Sequence, residues 1–465
     1  MPPFSQSTPI SNGFSPNHHH QSTNIITIDV GGQLFQTTKQ TLTLAGSNTL
    51  FSNLFNSSHH NSIPFLDRDP ELFSILLSLL RTGNLPSRSK SFDLQDIIFE
   101  AKFYGVSHLL VQSQSNPSQF EPLNLEKSML LPLSGRNPPS KITTTPNGSL
   151  FVSHGSKITS FDWSLQRKST ALTSFTGVDS LLALSSNVVA AGATDFSGLQ
   201  ILDLDLGVVR ETLNWDNVTK SSSTVQGIGS SHEFLFSSFE SGRRNSNSIV
   251  VYDLESFKIV TEVARNEIFG ADLGSAIPST KLNWVPSLSL LMASGSHSGA
   301  SGVSGNVKFL DLRSGNVVWE IEETTDCFAD ITVSDTLSAV FKIGVNSGEV
   351  SYIDLKNFGS YKSWNYLGDA RKANNVKKEG LGCKIECHGN QVFVGKQGEL
   401  GLWSEVLMGG SKIGKDRIFR KNVLGRAKDL GGNRITNMGF GGNKMFVTRK
   451  DQQCVEVWQS SARRF

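Results

Sequence analysis

Cys383 and Cys387, in "CKIECHG" (383–389), are the residues whose types could hold a metal or attack a substrate. Strand alternation puts both on one face but ~13 Å apart, too far for a shared ion without a bend. They read as core residues. The glycine-rich "SGSHSGASGVSG" (294–305) lacks the lysine and the following helix of a phosphate cradle, so it reads as a mobile loop. In "KIGKDRIFRKNVLGRAK" (412–428) basic residues alternate with Ile418, Phe419 and Val423, a pattern that could touch phosphates. No recognised nucleic-acid fold accompanies it, and nucleic acid is not an expected partner. His18, His19 and His20 read as a solvated tract. With no P-loop, nucleophile elbow or zinc-protease helix, the sequence predicts no catalytic residue, no cofactor and no metal. A non-enzymatic protein is expected.

The elements that carry these residues fall into two modules. The 465 residues are enough for two or more domains. A net charge of +2 does not suggest a general polyanion binder, although residues 371–428 hold 13 Lys/Arg against 5 Asp/Glu. Four cysteines are too few for a disulfide framework and suit a reducing compartment, the cytoplasm or alternatively the nucleus. Residues 1–24 lack the basic start and apolar run of a signal peptide, and their Ser, Pro and Asn content predicts disorder. No segment reaches the ~20 apolar residues of a membrane span. Residues 25–111 mix strand and helix patterns, 112–126 ("QSQSNPSQFEPLN" and its flank) read as a polar linker, and 127–460 carry short alternating strands.

Within the first module, "IITIDVGGQLFQTTKQTLT" (25–43) is two β-rich runs joined at Gly31-Gly32, "NTLFSNLF" (48–55) a short helix and "IPFLD" a strand. "FLDRDPELFSILLSLLRTGNLP" (65–86) is a helix capped by Asp69, begun by Pro70 and ended by Gly83. Leu72, Ile75, Leu76 and Leu79 form one apolar stripe; Phe73, Leu77 and Leu80 form its neighbour. One stripe needs a core. The second is either buried within the same domain or offered to a partner. "DLQDIIFEAKFYGVSHLL" (93–110) adds a helix capped by Asp93, with Leu94, Ile97, Ile98 and Ala101 in a stripe, interrupted at Gly105.

In order and spacing, "IDVGGQLFQTTKQTLT", "FLDRDPELFSILLSLLRTGNLP" and "EAKFYGVSHLL" resemble the BTB/POZ domain of the potassium-channel tetramerisation type. The resemblance implies a self-associating α+β domain. Having no pore segment, the chain is similar to the non-channel relatives, many of which recruit cullin-3 ubiquitin ligases. Those place an aromatic near the start of this helix against the cullin, which maps onto Phe73; Leu77 and Leu80 join it by sharing its stripe. Some channel-type modules hold zinc through His and Cys, but this one has no cysteine, and no structural metal is expected.

The second module repeats. "SKITSFDW", "GLQILDLD", "SIVVYDLE", "NVKFLDLR", "EVSYIDLK", "ELGLWSEV" and "CVEVWQSS" align at Asp162, Asp203, Asp253, Asp311, Asp354, Ser404 and Gln459. Their spacings of 41, 50, 58, 43, 50 and 55 residues lie at or above the ~40–45 of a four-stranded blade. The pattern resembles a WD-repeat-like β-propeller, seven blades favoured, without the Trp-Asp signature. The aspartates are expected to hold turns, and "KSMLLPLS" (127–134) to close the ring against the last blade. The expectation is therefore a multidomain protein, an α+β BTB/POZ domain followed by an all-β propeller. Its expected role is to self-associate and to dock a cullin-3-type scaffold through the first module while the propeller binds a substrate protein. A non-ligase oligomeric scaffold is the alternative, and an enzyme using the propeller funnel ranks last.

Overall fold

The computed structural model describes residues 25–47, 49–51, 63–116, 119–241, 246–267, 277–299, 302–357, 363–368, 371, 378–406, 417–425 and 432–460. The expected disordered lead-in, the histidine tract and most of "NTLFSNLF" lie outside them. Two units emerge, Met1–Ser113 and Gln114–Phe465.

In the first unit, β1 (Ile25–Val30) and β2 (Gln33–Thr38) form a hairpin, and β3 (Phe65–Leu66) pairs parallel to β1 on its other edge. The hairpin turns at Gly31 and Gly32, both at positive φ, and a side chain at Gly31 would run into the Arg68 carbonyl at 2.5 Å. The run expected to stay extended to Thr43 stops at Thr38, whose hydroxyl accepts the Thr41 N–H and starts the short helix α1 (Lys39–Thr43). Then come α2 (Pro70–Thr82), α3 (Leu94–Tyr104) and α4 (Ser107–Gln114). Ile28 and Val30 turn one sheet face into the core with the helices. The row Leu34, Asp29, Phe65 lies on the other face.

The second unit contains seven four-stranded antiparallel sheets among the described residues. In chain order we number them blades 1 to 7, spanning 141–172, 180–213, 223–267, 281–323, 328–366, 384–423 and 435–460. Each of the seven aligned repeats becomes the third strand of its blade. First strands follow one another from blade 1 to blade 7 and back to blade 1, so they line a closed ring. The seventh blade has only three strands of its own. Its fourth is Leu125–Pro132, which pairs antiparallel with Cys454–Ser460, as expected from the sequence. A cluster of Leu131, Leu150, Val152, Phe446, Val455 and Val457 packs blade 7 onto blade 1. At roughly 1.5–3 kcal/mol per buried large apolar side chain, that seam fastens the ends of the ring.

All five aspartates hold their turns. Asp162 accepts the Ser164 and Gln166 N–H groups, Asp203 those of Asp205 and Leu206, and Asp253, Asp311 and Asp354 those of Ser256, Arg313 and Lys356. Two segments differ from expectation. "SGSHSGASGVSG" is not a loop: its described residues continue Leu290–Gly299 and Gly302–Leu310, paired as one long hairpin. The expected linker is not a free tether either, because Phe120 and Leu125 are buried against Phe393, Leu402, Met445 and Trp458 of the propeller.

Candidate functional site

The helix α2 was the candidate partner surface, and its ends are built as the sequence implies. The Asp69 carboxylate accepts the Glu71 and Leu72 N–H groups at 2.7 and 3.1 Å, Pro70 fills a position needing no N–H, and Gly83 takes φ 72° to stop the helix. Between them Leu72, Phe73, Ile75, Leu76, Leu77, Leu79 and Leu80 are all buried.

The expectation of a solvent-facing stripe at Phe73, Leu77 and Leu80 is thereby corrected. Phe73 is 0% exposed, its ring edge-on to Phe35 of β2 at 4.9 Å and tilted against Tyr104 of α3 at 5.4 Å, with Phe51 at 6.3 Å. Aromatic residues from three other segments cover Phe73 within the module itself, and Leu77 and Leu80 are buried beside it. A groove of about 470 Å³ runs beside α2, lined by Gln33, Phe35, Ser74, Leu77, Arg81 and Arg88. Arg81 donates to the Gln36 carbonyl at 2.7 Å and Arg88 to the Ser74 hydroxyl at 2.8 Å. Both guanidinium groups thus brace the groove.

The exposed apolar surface lies elsewhere. Ile25, Leu34 and Phe65 stand out from the sheet, and Phe99 and Phe103 from α3, all exposed to solvent. The Arg68 guanidinium lies 4.1 Å from the Phe103 ring centroid and 5.4 Å from that of Phe99 while its Nη2 reaches Glu100 Oε1 at 2.8 Å. Burial raises the Glu100 pKa against the pull of Arg68. Phe99 and Phe103, four apart and opposite Ile97, Ile98 and Ala101, could have been found from the helical pattern of α3. Leu34 and Phe65 could not, since only pairing puts them in one row.

Residues 26–114 match the BTB/POZ domain family, and residues 135–460 match the family described as "At2g24240-like, C-terminal beta propeller". The chain belongs to the BTB/POZ proteins that carry this propeller. It is 58% identical over 456 residues to BTB/POZ domain-containing protein At5g41330 of Arabidopsis thaliana, covering 96% of this chain and 98% of that one. BTB/POZ domain-containing protein At4g30940 of the same plant is 25% identical over 461 residues, 94% and 97% of the two chains. The likeness to BTB/POZ domain-containing protein KCTD9 of Homo sapiens is 27% over 115 residues, 22% of this chain and 29% of that one.

In the BTB/POZ protein's propeller, Cys383 is buried and Cys387 sits in the strand Lys384–His388; burial raises both thiol pKa values, which keeps them protonated at neutral pH. Among the described residues no group of three or more His, Cys, Asp or Glu is arranged to hold a metal, and no helix is long and apolar enough to cross a membrane. Of the basic stretch 412–428, residues 412–416 and 426–428 lie outside the described residues. Phe419 packs against Tyr352 and Phe341, and Arg417 is held by Glu405 at 2.7 Å.

Proposed function

We propose that this protein is a non-enzymatic adaptor that self-associates through its BTB/POZ module, docks a cullin-3-type scaffold there and presents a substrate protein on its propeller. The carrying observation is the apolar surface of Leu34, Phe65, Phe99 and Phe103, which a lone module leaves in water. A second copy is the cover proposed for it, in keeping with the match to the BTB/POZ domain family. Oligomerisation raises the effective concentration of several propellers for a clustered substrate. Four unpaired cysteines are in keeping with the cytoplasm or nucleus. Cullin docking rests on the likeness to adaptor modules.

Burial of Phe73, Leu77 and Leu80 favours a second reading, an oligomeric interaction scaffold without a ligase. The deciding experiment purifies the tagged full chain from plant cells, weighs the complex by light scattering and probes it for cullin-3. A complex above monomer mass that contains cullin-3 supports the adaptor, and one without it supports the scaffold. A monomer for the wild type, or unchanged mass for Leu34→Asp/Phe65→Asp, removes the assembly surface proposed here.

A further inference from the structure

A kinase that selects basic substrates pairs acidic residues of its cleft with positive charges two and three places ahead of the hydroxyl it modifies. Adjacent bases stand at those places twice in the chain, Arg167-Lys168 before Thr170 and Arg243-Arg244 before Ser246. Burial separates the two hydroxyls. Ser246 begins the strand Ser246–Asp253, is 3% exposed and takes the Asn217 side-chain N–H at 3.1 Å. Thr170 lies in Arg167–Leu172, the outer strand of blade 1, which pairs with Lys157–Phe161 and has no strand on its other edge among the described residues. Arg167, Lys168 and Thr170 are all exposed. Neighbours along a strand ordinarily point to opposite faces, but this ladder shifts between Ser160 and Phe161. Lys168 is the extra residue between the Ser160–Ser169 and Phe161–Arg167 pairs, so both bases reach solvent in the same strand as the hydroxyl.

The surroundings of the hydroxyl accommodate the product. Arg167 Nη2 donates to Thr170 Oγ1 at 2.7 Å, and Thr159 Oγ1 stands 3.0 Å from Thr170 Oγ1 and 2.8 Å from Nε2 of the buried His154. In the transfer, Thr170 Oγ1 forms a bond to the γ-phosphorus of ATP as the bond from that phosphorus to the β,γ-bridging oxygen breaks. ADP leaves, and the hydroxyl proton passes to the kinase's base. The new ester oxygen has no proton to donate. Thr159 then donates its hydroxyl to that oxygen and accepts the Nε2–H of His154, so no buried group loses its partner. Burial, then Lys157 and Arg167, hold the His154 pKa below the usual histidine range, in keeping with a neutral imidazole in that role. The phosphate brings about −1.5 to −2 of charge at neutral pH beside a guanidinium that already reaches the acceptor oxygen.

We propose that Thr170 is a phosphorylation site for a basic-directed protein kinase, with ATP as the phosphoryl donor and Arg167 and Lys168 as the charges the kinase reads. The site is independent of the ligase reading. The folded full chain is incubated with MgATP and the catalytic subunit of cyclic-AMP-dependent protein kinase, a basic-directed probe, and phosphate is located by mass spectrometry. The wild type is expected to gain phosphate at Thr170 and not at Ser246, whereas synthetic peptides 164–173 and 240–249 should both be modified. Arg167→Gln/Lys168→Gln should lower the initial rate at Thr170 by about tenfold or more. Lys168→Arg, which keeps the charge, should retain the rate, as should Lys258→Gln, an exposed base outside the reading positions. Thr170→Val should remove the signal from that peptide segment and Thr170→Ser should preserve it. No phosphate at Thr170 of the folded wild type, an unchanged rate in the folded double variant, or modification of Ser246 in the folded chain as fast as that of Thr170 overturns the proposal.

Discussion

Phe73→Ala empties the centre of the BTB/POZ core. The side chain is 0% exposed and meets Phe35, Phe51 and Tyr104, so its loss combines transfer, cavity and aromatic-pair terms, together about 3–5 kcal/mol. A module of this size has a total stability of roughly 4–13 kcal/mol, so the change takes a large share of it. Phe73→Asp is worse, because an ionised carboxylate must be stripped of water inside the fold. Two units that unfold separately have no single unfolding free energy, and the fitting assay is amide hydrogen exchange on the full chain with the propeller as internal reference. For Phe73→Ala, protection in α2 should fall by about a hundredfold or more, while Lys102→Gln, on the exposed side of α3, should shift it by less than about 0.5 kcal/mol. Wild-type protection of α2 in Phe73→Asp would refute the burial argument and return the stripe to the surface.

Other perturbations separate the remaining forces. Arg449→Met removes the pair with Glu456 Oε1 at 2.9 Å and the donor to the Gly398 and Asn433 carbonyls, but leaves Glu456 with Lys127 at 3.6 Å and the Trp458 indole N–H at 3.1 Å, and should cost the propeller about 1–3 kcal/mol in thermal unfolding. Deleting 125–132 uncovers the Cys454–Ser460 edge and should produce aggregates on gel filtration; a monomer that unfolds cooperatively would show that the strap is dispensable. The Arg210 hydrogen bond, then the Leu206 N–H, lower the Asp203 pKa, so its contribution is full above the unfolded carboxylate value near ~4 and fades as pH falls through the lower folded value. The midpoint gap between wild type and Asp203→Asn should therefore be steady at neutral pH and close in acid.

Local chemistry was legible in the sequence wherever a residue acts on its own neighbours. Asp69 and Gly83 bound α2, Gly31-Gly32 turns the hairpin, and five aspartates mark the ends of third strands, all through contacts within a few residues. The cover over α2 was not legible, because helical periodicity shows which faces are apolar but not that Phe35, Phe51 and Tyr104 converge on the second. The glycines of 294–305 misled for a related reason. Gly295 lies where a side chain would meet the Pro278 carbonyl at 2.1 Å, and Gly305 where it would meet Cys327 and Phe328, so they serve close packing in strands and not loop freedom. Lys281 is an ordinary polar strand start in the sequence; only ring closure brings it to Asp330 and Glu386 of blades 5 and 6.

The self-association proposed above is constrained by which surfaces are already satisfied. The propeller's outer strands carry charge along their free edges: Arg167 and Lys168 in blade 1, Arg210 and Glu211 in blade 2, Glu320 and Glu322 in blade 4, Arg420 and Lys421 in blade 6. Pairing such edges between copies would desolvate those groups, the usual defence against edge-to-edge association, and the last blade's third strand is covered by Leu125–Pro132. In the BTB/POZ module the large apolar residues of α2 are buried, and among the described residues of that module the row through Leu34 and Phe65 and the aromatics flanking Arg68 are exposed. An assembly built there would leave the propeller strands unexchanged and the blade loops available to a substrate protein. Substitutions on the row should then change the number of propellers per particle, and with it avidity for a clustered substrate, while leaving the affinity of a single propeller unchanged.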